Sequence, residues 1–508
     1  MSNPASSGAL AGVKVLELGT LIAGPLCARM LGEFGADVVK VETPPDATGK
    51  GGDPLRTWRI LHEGTSLWWS VQARNKQSIA LDLKSEAGRE IARALALEAD
   101  IVVENFRPGV LEKWGLGYEQ LKALNPSCVM VRLSGYGQTG PMAGEPGFGA
   151  VGESMGGIRY VSGFADRPPV RIGISIGDAI AALHGVNGAL VALHHRNATG
   201  GRARYARGAD GKPQWQQGGT GQMVDVALYE AVFNLMESLV PEYDVAGFVR
   251  ERTGGALPGI VPSNTYTTGD GDNIVIAGNG DAIFKRLMQA IGRDDLASDP
   301  QLATNDGRVP RTQEIDTAIQ AWCSQHAIDD ALAVLKAADV PVSKIFSVAD
   351  MMRDPQFLAR QMFEQHALAD GTPIKLPAVV PKLSATPGAT RWLGPRLGEH
   401  TEEVLRGLGY DEDRIAALVA AFPTFRARMA IREIGGALAL PPADIERLAR
   451  LSDGWSSADA VEDEIHRMPG GEQRLADPRV VAWIEGHAFL SAIRLPKASA
   501  LTRQPGGM

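Results

Sequence analysis

The amino-acid sequence predicts an α/β fold whose large domain is a parallel, doubly wound sheet. Two observations carry this. Short β-branched apolar runs recur from Val13 to Leu133, and stretches of helical period with cap residues lie between them. A third agrees: at 508 residues, 44% hydrophobic and 22% charged, the chain is long enough for roughly three domains and a large buried core.

The first strand is expected at Val13 to Leu18 (VKVLEL), followed by the helical PLCARMLGEF, which Gly35 ends. Further strands are expected at Val38 to Glu42, Ile79 to Leu83, Ile101 to Glu104 and Val129 to Leu133. Near-continuous apolar runs of this kind suit strands buried on both faces. Between the third and fourth lies SEAGREIARALALEAD, a helix with Ser85 as N-cap. One long helix is expected from Ala179 to about His195; its Gly185 and Gly188 cost helix propensity, which predicts close packing against another element. The Gly- and Arg-rich stretch that follows lacks periodicity and predicts an exposed loop, with Arg202, Arg204, Arg207 and Lys212 at a solvated hairpin tip rather than in a binding patch. VDVALYEAVFNLMESLV reads as helical. NTYTTG and NIVIAG then read as strands around a GDGD turn, Phe284 to Lys336 as helical segments, and VPVSKIF as a strand. Helix, strand and proline-rich crossing segments are expected from there to about Leu418.

Composition narrows the function. A net charge of −8 argues against a general nucleic-acid or anionic-membrane surface, while leaving room for a local basic pocket. Cys27, Cys128 and Cys323 are odd in number and in no metal-ligand spacing, so each reads as a small core residue in a reduced compartment. The start, MSNPASSGALAG, is no signal peptide, and no run of about 18 apolar residues is expected to span a membrane. A cytoplasmic protein is expected.

Two motifs bear on chemistry. SGYGQTGP, at the end of a strand, contains G-x-G-x-x-G, but a phosphate loop must open into a helix, and Pro141 and MAGEPGFGAVGESMGG follow instead. It reads as a glycine-rich loop where ligands gather in a parallel sheet. In RIGISIGDAIAALHG, Asp178 stands at the mouth of the long helix. It is either a plain N-cap or a nucleophile, and the same physics serves both: a helix N-terminus favours the anion, so its pKa should fall. An ionised carboxylate beside small neighbours can attack a thioester.

At this point the sequence resembles the class III (CaiB/BaiF-type) CoA-transferase family over about residues 10–420. The resemblance rests on LELGTLIAGPLCARMLGEFGADVVKVE, NKQSIALDLKSEAGRE, ADIVVENFRPGVLEKWGLGYEQL, SGYGQTGP, GISIGDAIAALHGVNGALVAL, GQMVDVALYEAVFNL and LGEHTEEVLRGLGYDEDRIAAL, in that order. It implies a Rossmann-like large domain made of residues 1–200 and 336–422, a linker and smaller α/β domain at 201–335, and an interlocked homodimer. It also implies that Asp178 attacks an acyl-CoA to form a mixed anhydride and then an aspartyl-CoA thioester, from which a carboxylic acid takes the CoA. Ala23, Lys76, Asn105, Phe106 and Lys113 stand at CoA-binding positions, and Gly254 and Gly255 in an active-site glycine loop. Coenzyme A thioesters are substrates, with no permanently bound cofactor and no metal. Ile22 stands where formyl-CoA transferases carry Gln, which speaks against that substrate pair, and Thr199 to Gly219 has the look of an insertion.

Two alternatives stay open. An α-methylacyl-CoA racemase needs a second acid/base group, and Phe148 stands where such enzymes carry His; Phe cannot move a proton, and His184 reads as a helix-packing residue. The tail, 423–508, resembles a mostly helical fragment of bacterial C-family DNA polymerase α subunits, without the carboxylates that would hold polymerase metals, and is expected to be partly disordered. Arg426, Arg428 and Arg432 are its one hint of nucleic-acid or protein binding, and nucleic acid is not the expected partner.

Overall fold

The computed structural model describes residues 8–46, 50–203, 205–207, 213–215 and 218–415, and has one six-stranded sheet at its centre. Its strands are β1 (Lys14–Glu17), β2 (Asp37–Glu42), β3 (Lys76–Ala80), β4 (Ile101–Glu104), β5 (Val129–Ser134) and β6 (Met223–Ala227). The order is β6-β5-β4-β1-β2-β3 and every pairing is parallel. The crossovers are helices: α1 (Ala23–Glu33), α2 (Glu86–Glu98) and, later, α3 (Gly149–Met155) and α4 (Ile176–Ala198). Ser85 caps α2 by accepting from Gly88 N at 3.0 Å, and Gly35 closes α1 at φ +105°. Val15, Ile101 and Val131 face the α1/α4 side, whereas Leu16, Val102 and Met130 face α2, so alternate residues of each strand feed two cores.

The predicted close packing of α4 is present: a Cβ on Gly188 would lie 2.4 Å from Val224 Cγ1, and one on Gly185 3.2 Å from Cys27 Sγ. α4 is also long and apolar enough to cross a membrane, by length and composition only, where the sequence was expected to hold no such run. Its Ala181, Ala182, Ala189 and Ala192 are fully buried against the sheet.

Two expectations need correction. Residues 223–227 are a strand rather than the start of a helix, because pairing with β5 along Met223 to Ala227 outweighs the helical period; the helix begins at Leu228. The third strand begins at Lys76, three residues early, where the register with β2 sets it. The hairpin expected within the Gly/Arg-rich loop is present, Tyr205–Arg207 pairing with Pro213–Trp215, and at its base Arg202 is held by Asp100 at 3.3 Å.

A second core belongs to an antiparallel sheet, β7 (Ser263–Thr267), β8 (Asn273–Ala277) and β9 (Val342–Lys344), with helices Asp281–Ala290, Thr312–Cys323 and Ile328–Ala337. Ile274, Ile276, Leu287, Ile315 and Leu335 fill it. After a last hairpin, β10 (Phe363–Ala367) and β11 (Pro373–Pro377), the chain returns along the open edge of β3. Trp392 Nε1 donates to Lys76 O, His400 N to Ser78 O, and Ala80 N to Thr401 Oγ1, at 2.9–3.1 Å. These are the outward groups of an edge strand, each satisfied by the crossing segment. The tail, 423–508, for which the sequence suggested a polymerase fragment, lies outside the described residues.

Candidate active site

In this strand order the chain runs from β1 to β2 and β3 on one side, then returns to β4 on the other, so the direction reverses between β1 and β4. Ligands of open α/β sheets gather at that reversal, beyond the carboxyl ends of the strands. A cavity of about 520 Å³ opens there. Thr20 to Ala23 after β1, Asn105 to Pro108 after β4, and Leu133 to Gly135 at the end of β5 form its floor; Phe148 and Asp178 face it.

Asp178 is not the N-cap of its helix. Ser175 holds that place without a side-chain bond, and Asp178 sits in the first turn as the third helical residue. Among the described residues no hydrogen bond reaches its carboxylate. The helix end is instead served by Glu153 of α3, buried at 1% exposure, whose Oε1 accepts from Gly177 N at 3.4 Å. The expected fall in pKa is therefore overturned. Burial, then the nearby Glu153 charge, push Asp178 up to about 6, against the pull of Arg171. At pH 7 it is still mainly ionised. Space for it depends on Gly149, where a Cβ would lie 2.1 Å from Asp178 Oδ2.

The expected binding residues divide. Ala23, Asn105 and Phe106 line the cavity with Asp178. The Asn105 amide is spent on the chain itself: Oδ1 accepts from Thr20 N and Nδ2 donates to Thr20 O, both at 2.8 Å, which fixes the turn after β1. Phe106 stands edge-on to Trp114 at 5.4 Å and leaves a half-buried flat face. Lys76 does not reach the cavity. It is 1% exposed, and its Nζ is paired with Glu17 Oε2 and bonded to Pro25 O, both at 2.7 Å, so it braces the start of α1 from behind the wall. Burial pulls it down to about 8. Lys113 is exposed on the short helix after β4 and lines no part of the cavity. Gly254 and Gly255 lie in a turn instead: Gly254 N donates to Gly163 O at 2.8 Å, and a Cβ on Gly255 would lie 2.9 Å from Thr265 Oγ1.

Sequence reasoning missed the cations. Arg59, Arg107 and Arg171 all line the cavity, and Arg59 lies over the Trp68 ring at 4.5 Å. Arg107 stands inside NFRPG and was legible there; Arg59 and Arg171 lie in irregular segments without a pattern. Among the described residues no His lines the cavity, and His184 bonds Ile180 O of its own helix at 3.0 Å. All three cysteines are buried, and burial pushes Cys27 and Cys128 up to about 12 and Cys323 to about 11, so none is a thiolate nucleophile. Among the described residues no cluster of ligating side chains could hold a metal ion.

The family model described as CoA-transferase family III matches residues 10–205 and 214–401; the break falls within the Gly/Arg-rich loop. Succinyl-CoA--D-citramalate CoA-transferase of Chloroflexus aurantiacus is 48% identical over 80% of this chain and 96% of that protein. The beta subunit of succinyl-CoA--L-malate CoA-transferase from the same organism is 39% identical over 80% and 96%. A CAIB/BAIF family protein from Brucella suis superposes with a TM-score of 0.66 at 34% identity, covering 79% of this chain and all of that one.

Proposed function

The chain belongs to CoA-transferase family III, and from that premise we propose that it moves CoA from succinyl-CoA to a second dicarboxylic acid, through covalent intermediates on Asp178. The relatives are named for succinyl-CoA as one partner and for a hydroxylated dicarboxylic acid as the other. The observation that carries the mechanism is a carboxylate without hydrogen-bond partners among the described residues, facing a cavity at the sheet's reversal point. A nucleophile needs its lone pairs free.

In this reading an Asp178 oxygen attacks the succinyl carbonyl, and the C–S bond breaks to release CoA thiolate and leave a mixed anhydride. The thiolate attacks the aspartyl carbonyl, releasing succinate and leaving an aspartyl-CoA thioester. The acceptor carboxylate attacks that thioester, the thiolate leaves again, and it then takes the acceptor acyl group while Asp178 regains its charge. No proton is transferred in any step, which suits a cavity lined by no His. A racemase would need a proton donor at Phe148. Ala23 and the turn braced by Asn105 leave room for the thioester, the Phe106 face suits adenine, and Arg59 and Arg107 suit the CoA phosphates. The outer face of α4 supports self-association: Leu183, Leu190 and Val191 are 53, 40 and 59% exposed.

Intact-protein mass spectrometry tests the mechanism. With succinyl-CoA and hydroxylamine, the protein should gain a hydroxamate at Asp178 that Asp178→Ala lacks. Transfer without such an adduct would remove the covalent route.

A further inference from the structure

We infer that Arg171 determines specificity for dicarboxylic acids, receiving the far carboxylate of the acyl group while its near end reacts at Asp178. The inference rests on the proposed transfer and adds the group that selects its substrates.

Of the three guanidiniums around the cavity, Arg171 is on the segment that leads directly into α4, seven residues before the nucleophile. Its one ion pair is loose: Nε lies 3.7 Å from Glu153 Oε2. That oxygen is already satisfied by Arg159, which donates to it from Nε at 3.2 Å and from a second guanidinium nitrogen at 3.0 Å. Among the described residues Arg171 donates no hydrogen bond, and its side chain is 49% exposed. Its planar fork of donors is therefore open to a ligand carboxylate, the geometry that guanidinium recognises in pairs of hydrogen bonds. Arg59 is stacked on Trp68, and Arg107 belongs to the turn after β4. The charge of Arg171 is also felt by Asp178, which places the two within electrostatic reach. An acyl group with a carboxylate at each end can thus span from Asp178 to Arg171, whereas a monocarboxylic acid of equal length leaves the guanidinium unmatched.

The test compares glutarate with pentanoate as acceptors of CoA from succinyl-CoA, in the wild-type protein, Arg171→Gln and Arg171→Lys. The ratio of kcat/KM for glutarate over pentanoate should fall at least about tenfold in Arg171→Gln and recover in part in Arg171→Lys, which keeps the charge without the fork. The acid limb of the pH profile should also move upward in Arg171→Gln, because Asp178 loses its one cation. An unchanged ratio in a variant that melts like the wild type would overturn the inference, and so would a wild type that does not discriminate, while transfer to either acid would leave the proposed function standing. If the wild type transfers CoA to neither acid, the proposed function fails, and ligand binding must speak for Arg171. Calorimetric titration of glutarate then decides for Arg171 alone: equal binding to wild type and Arg171→Gln overturns the inference, and weaker binding to the variant supports it.

Discussion

Asp178 joins a high-energy ground state to its chemistry. Its pKa near 6 comes first from burial and then from the Glu153 charge. Only the ionised form attacks, so transfer activity should be flat above about pH 7 and fall tenfold per pH unit well below 6, which a kcat/KM profile reads directly. The same shift has a stability sign. A carboxyl raised above its ordinary 3.8 binds its proton more tightly folded than unfolded, so its ionisation destabilises the fold above pH 6 and the penalty fades as pH falls toward 4. Asp178→Asn should therefore gain on the order of 2 kcal/mol at pH 7, seen as a higher Tm, with a smaller gain at pH 5. The sequence made Asp178 visible but misjudged the direction of its pKa shift. Its reading assigned the helix N-terminus to Asp178, whereas the structure gives it to Glu153, 25 residues earlier, and no local pattern announces such a pairing.

Elements were legible where one segment's own period decided the outcome. The buried strands from Val13 to Leu133 and the cap at Ser85 are local signals, and the structure keeps them. β6 was not legible, because VDVA becomes a strand only through β5 beside it. Lys76 failed for a related reason: its side chain is claimed by Glu17, a neighbour across two strands, and adjacent residues do not show that. The glycines of α4 were read correctly as contact points. Gly188→Ala should destabilise the protein by about 1–3 kcal/mol, since the new Cβ meets Val224 Cγ1 at 2.4 Å on the sheet, while an exposed helix position away from α4 such as Lys285→Ala should change little; thermal unfolding separates the two.

At the scale of the whole molecule, α4 is buried on one side and apolar on the other. Around Leu183, Leu190 and Val191 the surface continues through Phe233, Leu235 and Val240, each more than half exposed. Monomeric proteins seldom leave so much apolar side chain in water. Sedimentation velocity should report a dimer for the wild type, with Val191→Asp shifting it toward monomer; a monomer at micromolar concentration would sink this reading.

The strap along β3 has a consequence in time. Lys76 and the Trp392 that covers its carbonyl are 316 residues apart, so on a ribosome the edge of the sheet waits for its cover. At ordinary elongation rates the delay is roughly 15 to 60 s. Through that interval β3 is a nascent strand with open donors and acceptors, the form in which chains find one another instead of themselves. Translation speed and chaperone supply, rather than the stability of the finished fold, should then set how much of this protein a cell recovers.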